Sequence, residues 1–303
     1  METLRDTFVH IADIHFWRVV INPLRLLNKR FWGNLTVALR RRREFVLERA
    51  ESYADAVAAT GARAVVLTGD FASTSTDDEF RMAVRFVEGL RARELSVHLM
   101  PGNHDVYTFR AYRTRRFEHF FNPFLPEQGY PALTALPGGT PLLLIPSVAP
   151  QHFSARGLIT RKEIDETAEL LDECGTRIVV AAHYPVLHET HGYHSNRFRR
   201  LKNAEVLRDV LGRSGKEILY LCGHVHRFSC ERDERYPNVQ YLSTGAFLRT
   251  FHACGTEGEF CRIGVENGGF EIVRHVYRDG WVEEPVTLDF AGGAGKSVAN
   301  KGT

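Results

Sequence analysis

Short apolar runs recur along the chain, and most of them end in a glycine or a polar turn. They lack the apolar–polar alternation of a half-exposed strand, so they are typical of strands that are buried on both faces. The runs predict seven strands, at residues 8–14, 64–67, 96–100, 142–147, 177–182, 218–222 and 239–243.

Helical patterns lie between these runs. Thr76 precedes Glu79 by three residues and Thr160 precedes Glu163 by three, and both pairs have the spacing of a capping box at a helix start. Helices are predicted over residues 76–93, 160–173 and 203–211. Alternating strands and helices indicate an α/β layered fold with a mixed sheet.

The pattern changes after residue 237. Residues 259–266 and 270–277 flank Asn267-Gly268-Gly269, which predicts a β-hairpin. The glycine-rich segment 291–303 is predicted to be disordered. No repeat or linker divides the rest, so residues 1–290 are predicted to form one domain.

The composition, with 44% hydrophobic and 25% charged residues, is that of an ordinary globular protein. The net charge of +2 hides a basic block, because residues 18–49 alone carry a net charge of +7. Such a block suggests an anionic partner, which is a phosphate substrate, an anionic membrane surface or nucleic acid. Nucleic acid is not expected, because the sequence has no recognition helix or base-stacking platform.

Residues 18–43 predict a basic amphipathic insertion, since Asn22-Pro23 is a good helix start and leucines and Phe31 follow at helical spacing. Four charged or proline positions interrupt its apolar stretch, so we do not expect it to span a membrane. The sequence leaves three alternatives open for this insertion: packing on the domain, binding of substrate, or contact with anionic lipid.

The five cysteines are odd in number and show no CxxC spacing, which favours a reducing compartment. The N-terminus has no apolar signal core. We therefore expect a cytoplasmic protein with peripheral membrane contact as an option, and an oligomeric state that the sequence does not reveal.

Metal-ligand residue types stand where the predicted strands end. They are Asp13, His15, Asp70, Asn103, His104, Asp105, His183, His224 and His226. In α/β folds the carboxyl ends of strands hold ligands, and histidine with aspartate or asparagine suits Mn, Fe or Zn. Alternate residues of an extended chain point the same way, which predicts that Asp13 and His15 reach one cluster.

These motifs, DIH, GD, GNHD, AAHYP and GHVH in this order, resemble the calcineurin-like metallophosphoesterase superfamily. The resemblance implies a four-layer αββα sandwich with mixed sheets. It implies one divalent metal ion held by Asp13, His15, Asp70 and His226, and another held by Asp70, Asn103, His183 and His224. It also implies that His104 is the general acid and that Asp105 orients it.

The expected reaction is cleavage of a phosphodiester or pyrophosphate bond by a hydroxide that bridges the two metals, manganese being one candidate ion. The segment after DIHF is similar to segments of bacterial enzymes that include UDP-2,3-diacylglucosamine hydrolases, which suggests a lipid-linked substrate. The rest of the chain, outside this segment, is similar to the class III phosphodiesterases of cyclic nucleotides and glycerophosphodiesters. A non-catalytic scaffold of the same fold is a third reading, but it would lack ligands or His104.

Substrate-binding candidates follow the GNHD motif. Tyr107 could lie under a base, and Arg110 and Arg113 could bind a second phosphate. An alternative for residues 107–124 is an amphipathic helix that packs through its phenylalanines. His252 is a further candidate for the cleft.

Overall fold

The computed structural model describes residues 6–19, 41–150, 155–193, 197–266 and 269–287. Most of the predicted insertion at 18–43, the hairpin residues 267 and 268 and the predicted disordered tail lie outside these ranges. No helix within them has the length and apolar character that crossing a bilayer requires.

The strands, in chain order, are β1 (Asp6–Ile11), β2 (Ala64–Leu67), β3 (Ser96–Leu99), β4 (Ala132–Ala135), β5 (Pro141–Leu144), β6 (Arg177–Ala181), β7 (Glu217–Cys222), β8 (Ser229–Arg232), β9 (Val239–Ser243), β10 (Glu259–Glu266), β11 (Gly269–Tyr277) and β12 (Trp281–Val286). The α-helices are α1 (Arg42–Glu44), α2 (Ala50–Ala59), α3 (Asp77–Ala92), α4 (Phe109–Arg113), α5 (Arg116–Phe121), α6 (Arg161–Asp172) and α7 (Ala204–Arg213).

The strands form two mixed sheets. The first has the order β12-β11-β10-β1-β2-β3, and the second has the order β4-β5-β6-β7-β9-β8. Strands β1, β2 and β3 are parallel to one another, as are β5, β6, β7 and β9. The carboxyl ends of each parallel set therefore meet at one edge of their sheet.

Alternate residues of the central strands bury their side chains on opposite faces. In β2, Val65 and Leu67 pack with the helices α2 and α3, whereas Ala64 and Val66 face the second sheet. In β6, Val180 packs towards α6 and α7 while Val179 faces the first sheet. Helices, sheet, sheet and helices thus form the predicted four-layer αββα sandwich, and buried runs are apolar because both faces are covered.

Both predicted capping boxes are present. The Thr76 side chain accepts from the Glu79 amide and the Thr160 side chain accepts from the Glu163 amide, and each glutamate returns a bond to the cap residue. The hairpin β10–β11 is antiparallel, as its sequence predicts.

Other expectations need correction. Strand β1 ends at Ile11, two residues before the first motif, because Asp13 and His15 both adopt left-handed backbone angles. Residues 107–124 do not form one helix: α4 and α5 are separated at Arg115, which is also left-handed. Phe117 and Phe121 are buried as expected, but Phe109 is exposed.

Candidate metal centre

Four of the predicted ligands meet at the edge of the first sheet. Single ligand atoms of Asp13, His15, Asp70 and His226 all lie within 4.8 Å of one another. His15 Nε2 is 2.9 Å from His226 Nε2 and 3.5 Å from Asp70 Oδ2. His226 Nε2 is 3.7 Å from Asp13 Oδ1. This group has the composition of one metal site.

The remaining predicted ligands meet beside the other oxygen of Asp70. His183 Nε2 is 3.5 Å from Asp70 Oδ1 and 3.1 Å from Asn103 Oδ1. Asn103 Oδ1 is also 2.8 Å from His224 Nδ1. The two oxygens of Asp70 therefore face two different groups of nitrogen and oxygen donors, which is the arrangement of a shared carboxylate.

The backbone brings these side chains together through left-handed turns. Asp13, His15, Asp70, His224 and His226 all have φ between 54° and 70°. A non-glycine residue rarely adopts this conformation, and clusters of such residues are typical of functional sites. The extended geometry expected for Asp13 and His15 is therefore wrong, although the two side chains do converge.

A close approach of two loops positions Asp70. Gly69 and Gly102 pack so tightly that a Cβ on Gly69 would overlap the backbone of Gly102, and a Cβ on Gly102 would overlap Asp70. Glycine is therefore required before Asp70 and before Asn103, because the two loops touch at these positions.

The donors in this cluster fit divalent cations. Asp13 Oδ2 is buried and has no hydrogen-bond partner among the described residues. Burial, with Asp70 nearby, raises the pKa of Asp13 well above its usual value, and burial raises the pKa of Asp70 to about 7. Burial lowers the pKa of His183 to about 3, so its ring is neutral and offers a lone pair. Two crowded carboxylates beside neutral imidazoles gain stability from a cation.

Two histidines are oriented by backbone carbonyls. His183 Nδ1 donates to the Thr68 carbonyl at 2.8 Å, and His224 Nε2 donates to the Arg199 carbonyl at 3.1 Å. These bonds fix the tautomers, so His183 presents Nε2 and His224 presents Nδ1 to the cluster.

His104 lies beside the first group. Its backbone N–H donates to Asp70 Oδ1 at 2.7 Å, and its ring Nδ1 donates to the Ser73 carbonyl at 2.8 Å. The ring stacks on Tyr107 with centroids 5.3 Å apart. The remaining ring atom, Nε2, faces Arg41 Nη2 at 3.0 Å.

Asp105 makes different contacts from those that the resemblance implied. Its carboxylate accepts backbone N–H bonds from Phe71, Ala72 and Gly102, at 3.2, 2.8 and 2.8 Å. It therefore joins the loop after β2 to the loop after β3. The carbonyl of Ser73, rather than the Asp105 carboxylate, receives the ring proton of His104.

A family model described as calcineurin-like phosphoesterase matches residues 7–228, which include every predicted ligand. The chain belongs to the calcineurin-like phosphoesterase family. This family uses two divalent metal ions, and the cluster around Asp70 provides donors for them. Metal-dependent phosphoester hydrolysis follows as the reaction class of this phosphoesterase.

Solved structures support the fold of this calcineurin-like phosphoesterase. A dimetal phosphatase from Danio rerio is 13% identical with a TM-score of 0.61, and the match covers 92% of this chain and 98% of that one. The purple acid phosphatase PPD1 from yellow lupin is 11% identical with a TM-score of 0.57, covering 90% of this chain and 51% of that one. No curated protein matches the sequence significantly.

The four substrate-binding candidates of the phosphoesterase take different places. Tyr107 stacks on His104 and lies at the site. Arg110 and Arg113 are exposed on α4, and His252 is exposed on a 3₁₀ turn. Within the described ranges no hydrogen bond, ion pair or ring contact joins the side chains of Arg110, Arg113 and His252 to the ligand cluster.

Two arginines were not singled out by the sequence. Arg41 contacts His15 and His104 through its guanidinium, and Arg199 donates from Nη2 to the His224 carbonyl at 3.1 Å. Arg41 is one of four consecutive arginines, so no pattern distinguishes it from its neighbours. Arg199 follows the AAHYP loop, and its contact with the His224 carbonyl is visible only in the folded chain.

Proposed function

We propose that this phosphoesterase cleaves a phosphodiester or pyrophosphate bond, and that its substrate is lipid-linked, as in UDP-2,3-diacylglucosamine. The proposed reaction rests on one observation, the position of Asp70 between two groups of metal-ligand atoms. Two cations placed around one carboxylate favour in-line displacement at phosphorus.

We assign the ligands as the sequence motifs suggest. Asp13, His15, Asp70 and His226 hold one ion, and Asp70, Asn103, His183 and His224 hold the other. When bound, the ions neutralise charge on the phosphoryl oxygens and make water more acidic. We expect manganese, iron or zinc from the nitrogen and oxygen donors.

His104 is the proposed proton donor to the leaving oxygen. The Ser73 carbonyl holds Nδ1–H, so the ring can turn only Nε2 towards a substrate. A protonated Nε2 would then donate to a departing alkoxide or phosphate. Asp105 supports this arrangement indirectly, because it fixes the loops that carry Asp70 and His104.

Exposed aromatic side chains that lie close in sequence to site residues support a lipid-linked substrate. Phe109 and Tyr112 follow Tyr107 closely in the sequence, and their side chains are 39% and 49% exposed. Phe198, 58% exposed, precedes Arg199, which contacts His224. In the sequence, these side chains lie close to Tyr107 and Arg199, which contact His104 and His224, and apolar groups on either side of the phosphate are therefore part of the proposal.

Cyclic nucleotides and glycerophosphodiesters are the alternative substrates. The observation in their favour is the aromatic ring of Tyr107, which lies within the site and is only partly buried. Such a ring can stack on a base.

A hydrolysis panel under Mn²⁺ tests the proposal. We expect turnover of bis-p-nitrophenyl phosphate, lost in Asp70→Asn, with UDP-2,3-diacylglucosamine a better substrate than cyclic AMP or a glycerophosphodiester. Preference for cyclic AMP would favour the alternative. Turnover confined to the monoester p-nitrophenyl phosphate would contradict the diester assignment, and bound metal without turnover of any phosphate ester would favour a scaffold.

We also propose a cytoplasmic protein whose basic segment contacts anionic membrane. The support is the +7 charge of residues 18–49. Flotation with liposomes that contain anionic lipid should decrease when Arg40, Arg42 and Arg43 become serine, because each basic side chain near such a surface contributes about 1 kcal/mol. Equal flotation of both proteins would exclude this contact.

A further inference from the structure

The end of the basic segment returns to the metal centre. Phe45 is buried, and its ring packs edge-on against His15 and His226 with centroid distances of 5.0 and 5.9 Å. Its carbonyl accepts from the Trp17 indole at 3.0 Å. Arg41 lies one helical turn earlier, and its carbonyl accepts the Phe45 N–H at 2.8 Å.

Backbone bonds hold this segment against a second loop. The Val46 N–H donates to the Leu248 carbonyl at 3.0 Å, and the Thr250 N–H donates to the Glu44 carbonyl at 2.6 Å. The Glu44 carboxylate forms an ion pair with Arg249 at 3.2 Å. The position of Arg41 is therefore set by the fold.

The Arg41 guanidinium contacts three acceptors in the part of the chain that the structure describes, and none of the three is an anion. Nη1 is 3.3 Å from His15 Nδ1 and 3.4 Å from the Ser73 carbonyl, and Nη2 is 3.0 Å from His104 Nε2. No carboxylate among the described residues forms an ion pair with it. Burial lowers the pKa of Arg41, and the charge of the nearby Asp70 carboxylate offsets this only in part. An anion in direct contact would therefore stabilise this partly buried guanidinium further.

Metal binding would remove one of these acceptors. If His15 gives the Nε2 lone pair to a metal, its proton must lie on Nδ1, and Nδ1 can no longer accept from Arg41. In a loaded enzyme Nη1 therefore loses an acceptor, and the guanidinium has a donor available between His15 and His104.

We propose that Arg41 binds a non-bridging phosphoryl oxygen of the substrate, between His15 and His104. This inference rests on the proposed function and adds a residue to it. The guanidinium is suited to this task because its planar donors match two phosphate oxygens. Segment 18–43 would thus contribute one side chain to the reaction, whatever its other arginines contact.

Phosphate binding tests the inference without turnover. Arg41→Met keeps the alkyl stem but lacks the guanidinium, and Arg43→Met is the matched control because Arg43 is exposed on the same short helix. Calorimetric titration of the manganese-loaded proteins with inorganic phosphate should give a Kd about 10- to 100-fold weaker in Arg41→Met, as loss of a charge-assisted bond requires. Arg43→Met should bind like the wild type.

Two further readouts separate substrate binding from support of His15. The metal content of Arg41→Met should stay at the wild-type level. Added guanidinium ion should restore part of the kcat/KM that Arg41→Met has lost, and it should not change the kcat/KM of Arg43→Met. Arg41→Lys should recover part of the phosphate affinity, because it restores the charge without the planar fork.

Unchanged phosphate affinity in fully loaded Arg41→Met would overturn the inference. Loss of metal from both Arg41→Met and Arg41→Lys would overturn it as well, because the arginine would then serve the ligands. If the wild type hydrolyses diesters and Arg41→Met does so equally well, the inference alone fails. If the wild type binds phosphate through Arg41 but hydrolyses no ester, the proposed function fails instead.

Discussion

Side-chain identity at a few positions carries most of what the sequence predicts about chemistry. Every ligand that the motifs indicate lies in one of the two groups around Asp70. Arg41 could not be predicted, because Arg40 to Arg43 are equivalent in a linear pattern and the packing of Phe45 against His15 sets the position of Arg41 only in the folded chain. The sequence also gives no indication that the Ser73 carbonyl orients His104, because every residue has a backbone carbonyl.

His104→Gln tests the proposed proton donor. We expect kcat to fall about 100-fold or more with alkyl or phenyl diesters, since general acids contribute on this order, and to fall much less with p-nitrophenolate, which leaves unprotonated. Metal content should not change. An equal loss with good and poor leaving groups would assign the proton to another source.

His10 provides a test of buried-histidine electrostatics outside the ligand set. Its Nε2 bonds to Thr68 Oγ1 at 2.9 Å, and burial lowers its pKa to about 3. Because the folded pKa lies below the unfolded one, the neutral ring stabilises the fold above about pH 6.5, and this stability is lost as the pH falls towards 3.

His10→Gln keeps a partner for Thr68 but does not titrate. Between pH 7.5 and 5.0 the free energy of unfolding of the wild type should fall relative to this variant by about 2 kcal/mol, measured by urea denaturation of the metal-loaded proteins. A difference that stays constant with pH would mean that His10 accepts a proton in the folded state.

Loops after the strands, rather than the strands themselves, form the site. Buried runs predicted the central strands well, and β2 and β9 have the predicted bounds. The short edge strands β4, β8 and β12 were missed, because their partly exposed residues lack a continuous apolar run. The left-handed ligand turns were missed too, since Asp and His adopt positive φ more often than most residues but do so at only a minority of their positions.

Asp105→Asn tests how two loops are joined. In the wild type, both carboxylate oxygens of Asp105 accept backbone N–H bonds. In the variant, the amide N–H₂ replaces one of these oxygens and faces backbone N–H donors, so the free energy of unfolding should fall by about 3 kcal/mol. Metal affinity should weaken, while the dependence on the leaving group stays as in the wild type. A leaving-group effect like that of His104→Gln would instead make Asp105 part of proton transfer.

The two sheets must pack together before the site exists. Asp13, Asp70 and Asn103 follow strands of the first sheet, whereas His183 and His224 follow strands of the second. The apolar layer between the sheets sets their separation, and periodicity along the chain does not encode that distance. Strands β8 to β12 lie beyond the matched family region and complete both sheets, which supports the proposal of one domain over residues 1–290.

Metal content measured by mass spectrometry, on wild type and Asp70→Asn, tests the shared carboxylate most directly. Asp279→Asn is the matched control, because Asp279 is exposed and has a similar left-handed φ of 55°. We expect two divalent ions per chain in the wild type and the control, and fewer than one in Asp70→Asn. Two ions retained by Asp70→Asn, or none bound by the wild type, would contradict the role of Asp70 as a shared ligand.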